Sequence, residues 1–136
     1  MNISSPKTRV NLSAEKLFML AGNCQNFVHF LSDQVQDIHA TEDTCSFAIE
    51  HIATFFLRIV DKTPYTTICF AAENDKNIPL KLAINFMEIS ENETDVIAFL
   101  DIDAPIFLKP VLQKPLQRFI DTLSEKIKKN AEKLGS

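Results

Sequence analysis

Tryptophan is absent from this chain of 136 residues, which holds only one tyrosine and two glycines. Gly22 and Gly135 cannot build a GxGxxG or GxxxxGK phosphate loop, so the common nucleotide-binding fingerprints are excluded. The three cysteines, Cys24, Cys45 and Cys69, contain no CxxC pair. An odd, scattered set excludes a small disulfide-stapled module and reads as small core hydrophobes in a reducing compartment. No apolar run approaches the roughly 20 residues that cross a bilayer. The opening Met1-Asn2-Ile3-Ser4 has neither the basic region nor the apolar core of a signal sequence, so a cytoplasmic location is expected.

What the chain does have is phenylalanine: 11 residues within a composition 46% hydrophobic and 24% charged. That balance is the ordinary globular one, and the length suits a single continuous domain over residues 1–136 with a substantial core. Rings without polar handles point to a strongly apolar interior. Fourteen basic residues face 18 acidic ones, a formal charge of −4, which disfavours general nucleic-acid binding. The late cluster Lys126, Lys128, Lys129 and Lys133 reads as a solvated face near a helix C-terminus, where cations suit the macrodipole.

Periodicity orders the elements. Residues 7–12 read as a strand, and Ser13 as the N-cap of a short helix carrying Leu17, Phe18, Leu20 and Ala21, stopped at Gly22-Asn23. A second short helix fits residues 25–31. After Ser32-Asp33 come strands at 35–41 and 44–50, a strand at 52–60 with a turn at 61–64, and further strands at 65–72, 80–87 and 95–103. Leu116, Phe119, Ile120, Leu123, Ile127 and Leu134 then follow helical spacing. Pro110 suits a first turn, whereas Pro115 inside a helix costs a hydrogen bond. Either the long helix begins near Pro115 or a kinked one begins earlier. Helices segregated from a run of about six antiparallel strands indicate an α+β fold.

This order resembles the helix-grip fold of the START-related, birch-pollen-allergen-like SRPBCC superfamily. The resemblance is carried by Val10-Asn11-Leu12-Ser13-Ala14-Glu15-Lys16-Leu17-Phe18, by Asn23-Cys24-Gln25-Asn26-Phe27, by Thr94-Asp95-Val96, and by the stretch from Ala104-Pro105 to Leu123. Two positions depart from the superfamily pattern: Glu50-His51 stands where a glycine is common, and Phe18 where a tryptophan is common. The resemblance implies a curved antiparallel sheet wrapping the long helix, with an apolar cavity between them. It also implies relatives that carry hydrophobic molecules, relatives that cyclise or dehydrate polyketides, and relatives that assist other proteins.

The expected cavity lining is Phe55, Leu57, Phe70, Leu82, Ile84, Phe86 and Phe99 from the sheet, with Leu116, Phe119, Ile120 and Leu123 from the helix. No catalytic set and no metal site are expected. His29, His39 and His51 lack i, i+4 spacing, although His39 and His51 flank Cys45 and could meet in space. Asp101 and Asp103 read as a solvated strand end, and Cys24 as structural rather than nucleophilic. Arg58, Tyr65 and Asn85 point away from the expected cavity. Phe56, Val60, Cys69 and Met87 fall on outward strand faces, where a patch would mark an interface such as a homodimer contact. The leading expectation is a non-catalytic protein that binds a small hydrophobic molecule without a cofactor. The alternatives are a polyketide cyclase or dehydratase and a protein-interaction module.

Overall fold

The computed structural model describes residues 1–31, 33 and 35–134. Among the described residues, eight strands form one antiparallel sheet: β1 Asn2–Ser4, β2 Thr8–Val10, β3 Val35–Ala40, β4 Thr44–Ile49, β5 Ala53–Thr63, β6 Thr67–Asn74, β7 Leu80–Ser90 and β8 Glu93–Ile102. Their order is β1-β8-β7-β6-β5-β4-β3, with β2 also pairing with β8. Two short helices, α1 Ala14–Ala21 and α2 Cys24–Phe27, sit between β2 and β3. The long helix α3, Lys109–Leu134, follows a single 3-10 turn at Ile106–Leu108. This is the expected α+β helix-grip arrangement.

Local chemistry explains the boundaries. The Ser13 side chain accepts from the Lys16 amide, and Asn23 from the Gln25 amide, so each short helix begins on a capped donor. Gly22 closes α1 where a Cβ would lie 2.9 Å from the Phe18 carbonyl oxygen. Pro115 stands inside α3, and the helix begins six residues before it. Without an N–H, Pro115 leaves the Val111 carbonyl without its usual helical donor.

Among the described residues, one bulged strand position and three positions in turns or loops show the cost of a glycine-poor sequence. Asp37, His51, Tyr65 and Asn77 all have positive φ, between 54° and 70°. These are left-handed conformations that glycine adopts freely and side-chain-bearing residues resist. His51 occupies the position where the resemblance leads one to expect glycine.

The interior lies between the concave sheet face and the helices. Phe27, Phe30, Phe47, Phe70, Ile84, Ile120, Leu123 and Ile127 are among its fully buried side chains. Each such residue contributes about 2 kcal/mol by leaving water. The Phe27 ring meets Phe70 at 4.9 Å, and Phe18 meets Phe86 edge-on at 6.2 Å, locking α1 and α2 onto β6 and β7. The lysine cluster on α3 is used locally: Lys126 pairs with Asp33 at 2.7 Å, and Lys128 donates to the Arg9 carbonyl at 2.7 Å.

The structure moves several expected boundaries. β5 runs on to Thr63, so the turn falls at 64–66 rather than 61–64, and a bulge between Ile59 and Asp61 keeps the long strand in register. β1 is an added edge strand. The second helix is one α-turn followed by a 3-10 turn at Val28–Phe30. Ser32, at the expected changeover to strands, lies outside the described residues.

Candidate functional site

The sheet and α3 do not close completely at the end where α3 begins. A cleft of about 300 Å³ is lined by Ile52 in the turn before β5 and Ala53 and Phe55 at its start, by Ile78 and Leu80 before and in β7, by Ile102, and by Leu108, Val111, Leu112 and Leu116 of the helical side. A second hollow of about 230 Å³ lies across the His51-Ile52 turn, between Val35, Ile49, Pro115, Arg118 and Phe119. Deeper in, Phe47, Leu57, Ala72, Leu82 and Leu100 join Phe55, Leu116 and Phe119 around a void of only about 20 Å³. The inner core is therefore nearly solid, and the open volume is at the mouth.

The mouth is built on fixed backbone. Asn74 donates to the Ile78 carbonyl at 2.7 Å and accepts from the Lys76 and Ile78 amides at 3.1 Å, so one side chain sets the whole β6–β7 loop. Asp75 accepts from the Thr54 amide at 3.1 Å and ties that loop to β5. Anchoring of this kind holds the wall before any ligand arrives, which lowers the ordering cost of binding. Among the described residues, no buried side-chain nitrogen or oxygen lacks a hydrogen-bond partner. The cleft therefore offers apolar contact and no unpaired buried anchor.

The expected lining residues separate into three groups. Phe55, Leu57, Leu82, Leu116 and Phe119 border the cleft or its inner end. Phe70, Ile84, Phe86, Ile120 and Leu123 are buried in the solid core at the far end, where α1 and α2 fill the space. Phe99 is a correction. It pairs in register with Ala83 on the outer face and is 37% exposed, whereas Val96, Ala98, Leu100 and Ile102 point inward. Sequence reasoning missed Ile52, Ala53, Ile78, Leu108 and Leu112, which come from a turn, a strand start, a loop, a 3-10 turn and the first turn of α3. Ile78 beside Pro79 was the available signal, an apolar residue stranded in a polar loop.

Among the described residues, the titratable groups singled out in the sequence do not converge. His39 lies in β3 opposite Ser46, while His51 occupies the turn after β4, at the strand's other end. Among the described residues no group of three metal-ligating side chains exists. Asp101 is cross-strand to Lys81 on the outer face, and Asp103 lies past the end of β8. Arg58 is exposed, and the Tyr65 ring stands edge-on to Phe18 at 5.7 Å. Cys24 and Cys45 are buried and hydrogen-bonded to one another, which pulls the Cys24 thiol below its usual range and pushes that of Cys45 well above it. Neither borders the cleft.

A larger groove of about 680 Å³ crosses the outer sheet face, over Cys69, Ala71 and Ala83 between Val60 and Phe99. Phe56 and Met87 are exposed on the same side, as expected. This groove is walled by strands alone, so a molecule in it would keep one side in water. The cleft takes walls from both layers and is the stronger candidate.

No protein-family model and no curated protein matches the sequence. Solved structures do match the fold. A START superfamily protein from Mycobacterium smegmatis superposes with a TM-score of 0.70 at 11% identity, covering 98% of each chain. The ZhuI aromatase/cyclase from Streptomyces sp. R1128 gives 0.77 at 9% identity, over 98% of this chain and 94% of that one. Norcoclaurine synthase from Thalictrum flavum gives 0.74 at 12% identity, over 100% and 96%. The chain has the helix-grip fold found across SRPBCC proteins. At these identities the likeness concerns the fold alone.

Proposed function

We propose that the protein binds a small hydrophobic molecule in the cleft between β5, β7 and the first turns of α3. The observation that carries this reading is the cleft itself: about 300 Å³, apolar walls from two layers, and a loop pinned by Asn74. That volume is at the small end of ligand pockets and has room for about ten methylene-sized groups. Phe55, Leu57, Leu82, Leu116 and Phe119 form its inner wall, and Ile52, Ala53, Ile78, Leu108 and Leu112 its mouth. The same fold is found in a START superfamily protein and in an aromatase/cyclase, so the fold by itself does not decide between binding and catalysis. A cyclase or dehydratase needs titratable groups aimed into one pocket. Glu50, His51, Lys76 and Arg118, which border the two hollows, are all solvent-exposed rim groups. Binding without catalysis is therefore the better reading.

The test is a titration with an apolar fluorescent probe, run on the native chain and on Ala53→Phe. The added ring fills the mouth from β5. Probe affinity is expected to fall at least about tenfold, with the melting temperature within a few degrees of the parent. Equal affinity in the two proteins would overturn the assignment.

A further inference from the structure

The two most exposed large apolar side chains among the described residues stand together at one lip of the cleft. Ile106 is 81% exposed and Phe107 76%, both on the 3-10 turn that leads into α3, and Val111 is 63% exposed one helical turn further on. Leu108 and Leu112, their immediate neighbours in sequence, face the cleft, whose rim Val111 also borders. The same stretch has an unusual charge pattern for an acidic protein. Between Asp103 and Asp121 the chain has no acidic residue and three basic ones, Lys109, Lys114 and Arg118. Val111, Lys114 and Arg118 follow i, i+3, i+7 spacing, so two of the cations share a helical stripe with Val111, while Lys109 adjoins the lip as the first residue of the helix.

We propose that this lip is a docking surface for an anionic lipid bilayer, with Ile106, Phe107 and Val111 entering the headgroup boundary and Lys109, Lys114 and Arg118 meeting acidic headgroups. Exposed rings and branched chains flanked by cations are what an interfacial segment requires: apolar area to bury and positive charge to hold it at the surface. The shape favours a bilayer over a folded partner. These side chains stand clear of the surface as a knob, and a second protein would need a matching hollow, whereas a bilayer accepts a knob of any outline. This proposal is independent of what the cleft holds.

The experiment is sedimentation of the full chain with phosphatidylcholine vesicles, with and without about one third phosphatidylglycerol. Binding is expected on the anionic vesicles and to be much weaker on the neutral ones. Raising the salt to about 0.5 M should weaken it severalfold, because the lysine contribution is screened. The double variant Ile106→Ser, Phe107→Ser should bind at least about tenfold less tightly, and Lys109→Glu with Lys114→Glu similarly so, each with unchanged circular dichroism and melting temperature. The proposal is overturned by the absence of anionic vesicle binding, or by binding that neither variant alters. Self-association in solution that the Ile106/Phe107 variant abolishes, without vesicle binding, would assign the lip to a second copy of the chain and also overturn it.

Discussion

The Phe47 ring of β4 stacks on the Phe119 ring of α3, with centroids 5.9 Å apart and planes at 19°. This contact joins sheet to helix at the inner end of the cleft, where both rings border the 20 Å³ void, and Phe119 also walls the 230 Å³ hollow. The stack is the partition between open mouth and solid core.

Removing that partition should be costly. Phe119→Ala is expected to destabilise the protein by about 4 kcal/mol, the usual range for deleting a buried ring whose cavity cannot collapse. Chemical denaturation measures it. A loss below about 1 kcal/mol would show that the helix settles into the gap and that the ring is no partition.

The left-handed backbone at His51 gives a second test. Its φ is 67°, and its side chain is 88% exposed, with Nε2 3.6 Å from a Glu50 carboxylate oxygen. Little contact is lost on removing the imidazole, while backbone strain is relieved. His51→Gly should therefore stabilise the fold by about 1 kcal/mol. Because His51 borders both hollows, probe affinity should drop in the same variant if the imidazole touches the ligand. Unchanged or lower stability would show that the turn is not strained.

A third test concerns pH. Asp95 is buried on β8, and its carboxylate is hydrogen-bonded by the Arg9 guanidinium of β2, which holds its pKa below the ordinary 3.8. A carboxylate with a depressed folded pKa stabilises the native state above its unfolded value, and that contribution disappears as pH falls through the folded value. The gap in melting temperature between the native chain and Asp95→Asn should stay level from about pH 8 to about pH 5 and close below about pH 4. A gap that persists at low pH would show that the two charges are not what joins β2 to β8.

The sheet was readable in the sequence wherever one face was apolar and the other polar. In β7, Leu80, Leu82, Ile84 and Phe86 alternate with Lys81, Ala83, Asn85 and Met87, and the expected faces agree with the structure. β8 has apolar residues on both faces, so a period of two could not choose between Phe99 and Leu100, and Phe99 was assigned to the wrong side. β1 is three residues long and gains its pairing from β8, a tertiary partner that no local pattern reveals. The cleft was half legible for a related reason. Its inner wall lies on regular strands and the helix, but most of its mouth is formed by a strand start, the Asn74-pinned loop and the turns before β5 and α3, where periodicity carries no information; Leu112, on the first turn of α3, is the exception.

The measurement that bears most directly on the binding cleft is a backbone amide chemical-shift map of the ¹⁵N-labelled protein, titrated with a medium-chain apolar ligand. Saturable shifts at Ile52, Ala53, Phe55, Ile78, Leu112 and Leu116 are expected, with the far core around Phe27 and Phe70 unmoved. Shifts confined to the outer face around Ala71, Ala83 and Phe99, or no saturable shift at any residue, would contradict a ligand site between sheet and helix.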